Sequence, residues 1–139
     1  MKASLRPGLS RTNRFVIDVA RTISFMGEEG RVYATPWFIR DIEHTCRDLI
    51  LEHADPGEDS VGIEVAIQHT AATPPGMTVE ITATVTAVEG RKVAFATSAK
   101  DDIEPIGGGM HARFVVEVAK SVDREQTKAA KHRARSTTA

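Results

Sequence analysis

The sequence lacks most features of secreted and membrane proteins. Its only cysteine is Cys46, so no disulfide can form within the chain. No charged and then apolar leader opens the chain, and no apolar run approaches the ~20 residues that cross a bilayer. These absences predict a cytoplasmic protein without a membrane partner.

The sequence also lacks an excess of either charge. Its 139 residues include 18 Lys and Arg and 19 Asp and Glu, so no overall field attracts nucleic acid or an anionic membrane. Basic residues gather near the end, at Lys128, Lys131, Arg133 and Arg135, but no aromatic side chain accompanies them for base stacking. We therefore expect no nucleic-acid partner, and a flexible, solvated tail over residues 120–139.

Motifs of several other classes of site are missing. No Gly-x-Ser-x-Gly elbow marks a serine hydrolase. His44 and Cys46 lack a further Cys or His pair that would complete a metal site. The run Gly107-Gly108-Gly109 is followed neither by a helix nor by the Gly-Lys-Ser or Gly-Lys-Thr ending of a phosphate loop, and it fits a β-bulge or a close backbone approach better. We expect no metal ion and no cofactor.

What remains is a clear pattern of strands around one helix. Period-two alternation predicts strands over residues 14–20, 60–70, 77–88, 93–99 and 103–118. A helix is predicted from Thr35 to about His53, with one apolar face made of Phe38, Ile39, Ile42, Cys46, Leu49 and Ile50. Residues 1–11 read as a loose lead-in and residues 23–30 as a loop or lid. We predict a single domain over residues 1–139, with its core in about residues 14–118 and an antiparallel sheet covering the helix.

Glu43 lies within the apolar stripe of the predicted helix, four residues after Ile39 and three before Cys46. One interpretation is a helix-edge glutamate whose carboxylate reaches water. The other is a carboxylate whose pKa is raised by partial burial and which acts as a base or a nucleophile. The pattern alone favours neither interpretation.

Thr35 and His69 also admit two interpretations each. Thr35, followed by Pro36, fits a helix cap, but it also lies two turns before Glu43 on the same side of the helix. His69 ends the best-patterned strand, directly before a stiff turn that contains Pro74 and Pro75. A rigid strand end orients an imidazole well, although a lone histidine near a turn is more often structural than catalytic.

A resemblance to a known family rests on three segments, His69-Thr70-Ala71-Ala72-Thr73-Pro74-Pro75-Gly76, Val88-Glu89-Gly90-Arg91 and Ile106-Gly107-Gly108-Gly109-Met110-His111-Ala112-Arg113. They resemble segments of the fluoroacetyl-CoA thioesterase family, a branch of the hotdog thioesterases. The resemblance covers about residues 14–118 and implies an α+β hotdog fold, an antiparallel sheet wrapped around one long central helix. It also implies an acyl-CoA thioesterase, with coenzyme A as part of the substrate. The protein would be a homodimer with active sites at the subunit interface, and pairing of two dimers into a tetramer is left open.

The resemblance assigns a role to five residues. The family's catalytic Thr, Glu and His fall on Thr35, Glu43 and His69, and its substrate-contacting Gly and Arg fall on Gly62 and Arg113. Glu43 would act as general base for water or as a nucleophile, and His69 would transfer protons or orient the reacting groups. The Thr35 hydroxyl would position the attacking group or the carbonyl oxygen. Without the resemblance, Arg113 fits a strand-surface arginine equally well.

The chain departs from the family pattern near the expected acyl pocket. Family members selective for fluoroacetyl-CoA carry an aromatic lid before the helix, whereas here Met26 is followed by Gly27-Glu28-Glu29-Gly30. Bulky Trp37, Phe38 and Arg40 also replace smaller residues at the helix start. We therefore expect a different short or medium acyl group.

Two rival functions keep the same fold. One is a non-catalytic hotdog protein that binds an acyl thioester or a related small molecule. The other is a hotdog hydratase, whose Asp-x-Asn-Pro-x-x-x-His segment is absent from this sequence.

Overall fold

The computed structural model describes residues 1–138, with side chains described as far as Ser136, and is built on a five-stranded antiparallel sheet. The sheet order is β1-β3-β4-β5-β2. The strands are β1 (Ser10–Val16), β2 (Glu58–His69), β3 (Thr78–Glu89), β4 (Lys92–Lys100) and β5 (Pro105–Glu117), and the helices are α1 (Thr35–Leu51) and α2 (Val118–Thr138). Two short 3-10 turns, Val19–Arg21 and Glu28–Gly30, lie between β1 and α1.

Helix α1 packs on one face of the sheet and forms the core with it. Its buried apolar side chains are Phe38, Ile42, Cys46, Leu49 and Ile50. They meet the inward residues of the sheet, among them Val79, Ile81, Ala83, Val85, Val93, Phe95 and Val115. The alternating burial of β3 fits the period-two pattern that predicted it, because one face of that strand covers the helix and the other faces outward. The architecture agrees with the predicted antiparallel sheet wrapped around one helix.

The first strand and the residues before it differ from the sequence prediction. β1 runs from Ser10 to Val16 rather than over residues 14–20, and pairs antiparallel with β3. Residues Val19–Arg21 form a 3-10 turn instead of the end of the strand. The preceding residues are tied to the body, since Leu5 is buried and the Gly8 amide donates to the Val85 carbonyl at 2.8 Å. The pattern missed the first four residues of this strand because it lies at a sheet edge, where charged and polar residues are compatible with strand structure.

The chain forms helix α2 where we predicted a flexible tail over residues 120–139. Helix α2 follows β5 directly, and its first amide, from Val118, donates to the Gly57 carbonyl at 2.9 Å. Its Ala, Lys, Arg and Gln residues are strong helix formers, which explains a regular helix with little apolar packing. Residue 139 lies outside the described residues. Through Thr138, no helix is long and apolar enough to cross a membrane.

The three consecutive glycines of β5 mark a close backbone approach. Gly107, Gly108 and Gly109 all have positive φ, and a Cβ at any of them would lie 2.1 to 2.3 Å from a backbone carbonyl oxygen of a neighbouring strand. The register shift between β2 and β5 lies elsewhere, between Gly62 and Glu64. A register shift between β4 and β5 borders the run, because Ala99 pairs with Gly107 and Lys100 with Pro105, so Ile106 has no register partner on β4. The structure therefore shows both the close backbone approach and a bulge beside the glycines.

Candidate active site

Thr35 and His69 meet at the N-terminal end of α1. The Thr35 Oγ1 atom lies 2.8 Å from Nδ1 of His69, which ends β2. Ala34 occupies the N-cap position of α1, and no side chain caps the helix. The capping interpretation of Thr35 is therefore wrong, and its hydroxyl points to the imidazole instead. We call these two residues the Thr35–His69 pair.

The imidazole of His69 sits in an aromatic setting beside an open pocket. The Phe38 ring lies 4.8 Å from it and the Tyr33 ring 6.0 Å, measured between centroids. Burial lowers the pKa of His69 below its ordinary value, so the ring is neutral at pH 7. Its Nε2 atom is buried and has no hydrogen-bond partner among the described residues. The pocket is lined by Ile23, Phe25, Val32, Tyr33, Thr35, His69 and residues 70–72.

Glu43 lies elsewhere, against the middle of β2. A Cβ placed on Gly62 would lie 2.5 Å from Glu43 Oε1, 3.2 Å from His111 Cε1 and 3.5 Å from Arg113 Nη1. Gly62 therefore leaves the space in which these three side chains converge. We call Glu43, Ser60, Gly62, His111 and Arg113 the Glu43 cluster.

Arg113 is an interior residue of this cluster. Its side chain is buried, with Nε donating to Ser60 Oγ at 2.7 Å and Nη2 donating to the Ser60 carbonyl at 2.7 Å. Burial lowers the pKa of Arg113, and the nearby Glu43 carboxylate acts in the opposite direction. The interpretation of Arg113 as a surface arginine is therefore wrong.

The Glu43 carboxylate has no close polar partner in the described part of the chain. Among the described residues it makes no hydrogen bond and no ion pair within 4.0 Å, although it is half-buried. A pocket opens beside it, lined by Glu43, His44, Arg47, Ser60, Val61, Gly62 and Arg113. Both carboxylate and guanidinium are thus available to a ligand that enters this pocket.

The structure brings the five predicted residues into two groups, not one. Thr35 and Glu43 are eight residues apart on α1, which corresponds to a rise of ~12 Å along the helix axis. Gly62 and Arg113 lie beside Glu43, whereas His69 lies beside Thr35. No single carbonyl carbon can touch both groups within one copy of the chain.

Sequence reasoning missed two sets of buried polar residues. One set is Ser60 with His111. The sequence held one signal for this set, because His111 and Arg113 are two residues apart and therefore lie on the same face of a strand. The other centres on Asp41, a fully buried acid in α1. The Tyr33 hydroxyl donates to Asp41 Oδ2 at 2.5 Å, and Arg21 Nε donates to the same oxygen at 3.0 Å. These bonds tie the segment before α1 to the helix.

The described residues contain no obvious alternative centre. No group of three or more His, Cys, Asp or Glu side chains among residues 1–138 could hold a metal ion. Cys46 is buried, and burial raises the pKa of its thiol to about 12, so it is not a nucleophile at neutral pH.

Comparison with known proteins decides the family. Residues 17–119 match the family model described as fluoroacetyl-CoA-specific thioesterase. The chain belongs to that family. It is 35% identical over 127 residues to the fluoroacetyl-CoA thioesterase of Streptantibioticus cattleyicolor, which covers 86% of this chain and 91% of that protein.

Solved structures agree with this assignment. The structure of the fluoroacetyl-CoA thioesterase FlK superposes with a TM-score of 0.83 at 34% identity, over 89% of this chain and 97% of the other. A hot-dog-like protein from Thermanaerovibrio acidaminovorans, 23% identical, covers 88% of this chain and 91% of its own with a TM-score of 0.80, which shows the fold alone. The predictions of family, hotdog fold and thioester hydrolase are confirmed.

Proposed function

We propose that the protein hydrolyses a short or medium acyl-CoA to a free acid and coenzyme A, at sites shared between two copies of the chain. Each site combines the Thr35–His69 pair of one copy with the Glu43 cluster of the other. Similar proteins support the substrate class, because a variant of FlK, 35% identical to this chain, has been solved in complex with fluoroacetate and CoA. The separation of the Thr35–His69 pair from the Glu43 cluster within one copy supports a site that two copies share.

The edge strand β2 provides the surface for pairing. It ends the sheet on the side of β5, so its other edge carries unpaired backbone groups. Its apolar side chains Val61, Ile63 and Val65 are 48%, 51% and 43% exposed in one copy. An exposed apolar edge strand is a template for strand addition. A second copy of the chain can form hydrogen bonds with these unpaired backbone groups, because a two-fold axis pairs β2 with itself in antiparallel fashion.

One register of this pairing completes the site. β2 side chains on the helix-covered face after the bulge are Val65, Ile67 and His69, since they pair with His111, Gly109 and Gly107 of β5. A two-fold axis at Ala66 keeps these side chains on one face of the joined sheet. Counting outward from that axis, His69 of one copy then lies opposite Gly62 and Ile63 of the other. This pairing brings Glu43 of the second copy next to the Thr35–His69 pair of the first.

The chemistry then follows from the two groups. Glu43 removes a proton from water as the water oxygen attacks the thioester carbonyl, or it attacks the carbonyl itself to form an anhydride that water opens. In both routes the carbon–sulfur bond breaks and the coenzyme A sulfur leaves with the electron pair. The proton that the sulfur takes is one from the attacking water, which Glu43 accepts and then gives up, so that Glu43 returns to its starting form. The positive end of α1 at Thr35 stabilises the developing oxyanion. Arg113, a buried cation in the pocket beside Glu43, contacts an anionic part of the substrate.

The acyl pocket is not capped tightly. Phe25, in the segment before α1, is 82% exposed and lines the pocket with Ile23 above the Thr35–His69 pair. An open apolar pocket fits an acyl chain longer than two carbons, which buries Phe25 as it binds. We therefore propose a short or medium acyl group rather than fluoroacetyl.

Thiol release from a panel of acyl-CoAs tests the activity and its base. We expect wild type to turn over at least one acyl-CoA in the presence of EDTA, and Glu43→Gln to lower kcat by at least ~100-fold. Near-wild-type turnover by Glu43→Gln contradicts the role of Glu43. Tight binding of an acyl-CoA without turnover by wild type favours the non-catalytic binding protein.

Mixing two inactive variants tests the shared site. In a mixed dimer of Glu43→Gln and His69→Ala, one site carries both substitutions and the other carries neither. We expect random subunit exchange to restore about a quarter of the wild-type sites, because half of the dimers are mixed and each holds one intact site. Exchange that is verified by differential tags but restores no activity places Glu43 and His69 in the same copy.

A further inference from the structure

His111 is a buried histidine that the proposed reaction does not use. It lies on β5 with no exposed surface, and its ring stacks on Phe95 with centroids 6.5 Å apart and an interplanar angle of 23°. A ring held in this way has a fixed plane. Both of its ring nitrogens have a polar neighbour, and the nature of those neighbours determines which nitrogen carries the proton.

The two neighbours of His111 have opposite hydrogen-bonding character. Nδ1 lies 2.8 Å from the backbone carbonyl oxygen of Glu64, which only accepts hydrogen bonds. Nε2 lies 3.2 Å from Nη1 of Arg113, and a guanidinium only donates. Nδ1 therefore carries the proton and Nε2 offers its lone pair to Arg113, so the ring is neutral.

We infer that His111 is a positioning residue for Arg113, whose guanidinium it orients beside Glu43 by accepting a hydrogen bond from Nη1. Ser60 already holds Nε and Nη2 of Arg113, at 2.7 Å each. His111 holds the remaining arm, which points into the space above Gly62. Because the acceptors on Ser60 and His111 are uncharged, the full positive charge of Arg113 stays available to the substrate. This inference rests on the proposed function, in which Arg113 contacts the substrate.

The surroundings of His111 keep it in the accepting form. Burial lowers its pKa, the hydrogen bond to Glu64 raises it, Arg113 on the same strand lowers it, and Glu43 on α1 raises it. The net direction is below the ordinary value. Protonation would place an N–H of His111 against an N–H of Arg113 and two positive charges side by side. A phenylalanine or leucine at this position could also pack in the core, but neither could accept the hydrogen bond from Arg113.

Two substitutions separate positioning from packing. His111→Gln retains an oxygen that can accept from Arg113, whereas His111→Leu keeps a similar volume and removes the acceptor. We expect His111→Leu to lower kcat/KM by about tenfold or more, mainly through KM, which is the scale of a lost hydrogen bond to a charged group. His111→Gln should recover most of that loss. His132→Leu, on the exposed surface of α2, is the control and should match wild type.

The same substitution in an Arg113→Met background completes the test. If His111 acts through Arg113, His111→Leu should change kcat/KM by less than about threefold once Arg113 is gone. An equal loss in both backgrounds, or His111→Gln no better than His111→Leu, overturns the inference.

Nitrogen NMR of the wild-type protein provides a measurement that needs no variant. We expect Nδ1 of His111 to be protonated and Nε2 to be bare at pH 7, and the reverse overturns the inference. If wild type releases no thiol from any acyl-CoA, the proposed function fails, but the NMR result still decides the hydrogen bond to Arg113.

Discussion

Replacing Gly62 with alanine tests the geometry of the Glu43 cluster with one methyl group. The added Cβ would lie 2.5 Å from Glu43 Oε1, a separation that real Cβ atoms essentially never show. Gly62 is not among the glycines with positive φ, so its backbone conformation suits alanine. The obstruction is therefore the tip of a flexible side chain rather than backbone. The carboxylate must move, and the fold need not.

The size of the effect follows from the displacement. The Glu43 oxygen must retreat by about 0.9 Å to reach 3.4 Å, the lower end of ordinary contact. A shift of about 1 Å in a reacting group costs roughly 100-fold in rate. Replacing glycine by alanine at a compatible position stabilises a fold by about 0.4–1 kcal/mol. We therefore expect kcat/KM to fall roughly 100-fold while the melting temperature stays level or rises.

The assay pairs thiol release with thermal unfolding and size-exclusion chromatography. Gly109→Ala is the contrasting variant, because its Cβ would lie 2.1 Å from the backbone oxygen of Ala66 and its three nearest atoms would all be backbone atoms of Ala66 and Ile67. It should lose stability first and activity only as a consequence. Wild-type kcat/KM in a folded, dimeric Gly62→Ala protein would refute a reacting role for Glu43 at its observed position.

Two further predictions concern stability. Asp41→Ala should lower the free energy of unfolding by about 3–5 kcal/mol, because it leaves Arg21 and Tyr33 without their buried acceptor. In urea titrations the control Asp123→Ala, at an exposed position of α2, should change the free energy of unfolding by less than about 0.5 kcal/mol, and equal losses would contradict the argument. Burial lowers the pKa of both His69 and His111 below the ordinary 6.5, so the unfolded chain binds more protons than the folded one as pH falls below that value. The free energy of unfolding should have its full value above pH 6.5 and should fall toward pH 5.5, by at most about 1.4 kcal/mol per pH unit for each histidine. Urea titrations that give equal free energies at pH 7.5 and 5.5 would contradict these burial effects.

The sequence predicted those elements whose burial follows a simple period. α1 was found from its apolar face, which the structure buries almost as predicted, with Ile39 only half-buried. β3 alternates in burial as it alternates in sequence. For such elements, the local sequence pattern and the tertiary packing favour the same structure, so the apolar periodicity of the sequence is enough to predict them.

The candidate site was less accessible to this reasoning because it depends on distant pairs. Gly62 lies beside Glu43 although the two are 19 positions apart in the sequence, and His111 and Arg113 approach them from β5. Asp41 interrupts the apolar face of α1, and its meaning appears only with Arg21 and Tyr33 beside it. Periodicity detects which face of an element is buried, but it does not detect which polar groups meet across elements.

β2 shows how a correct strand prediction can hide a change in the face to which the side chains point. Its residues Val61, Ile63, Val65 and Ile67 alternate without a break in sequence, which predicts one apolar face. The register shift between Gly62 and Glu64 makes Ile63 an extra residue, so Val61 pairs with Phe114 on the outer face while Val65 pairs with His111 on the inner one. One copy of the chain leaves Val61, Ile63 and Val65 all exposed. Three exposed apolar side chains on an edge strand fit the proposed pairing of β2 with a second copy, in which His69 of one copy would lie near Glu43 of the other.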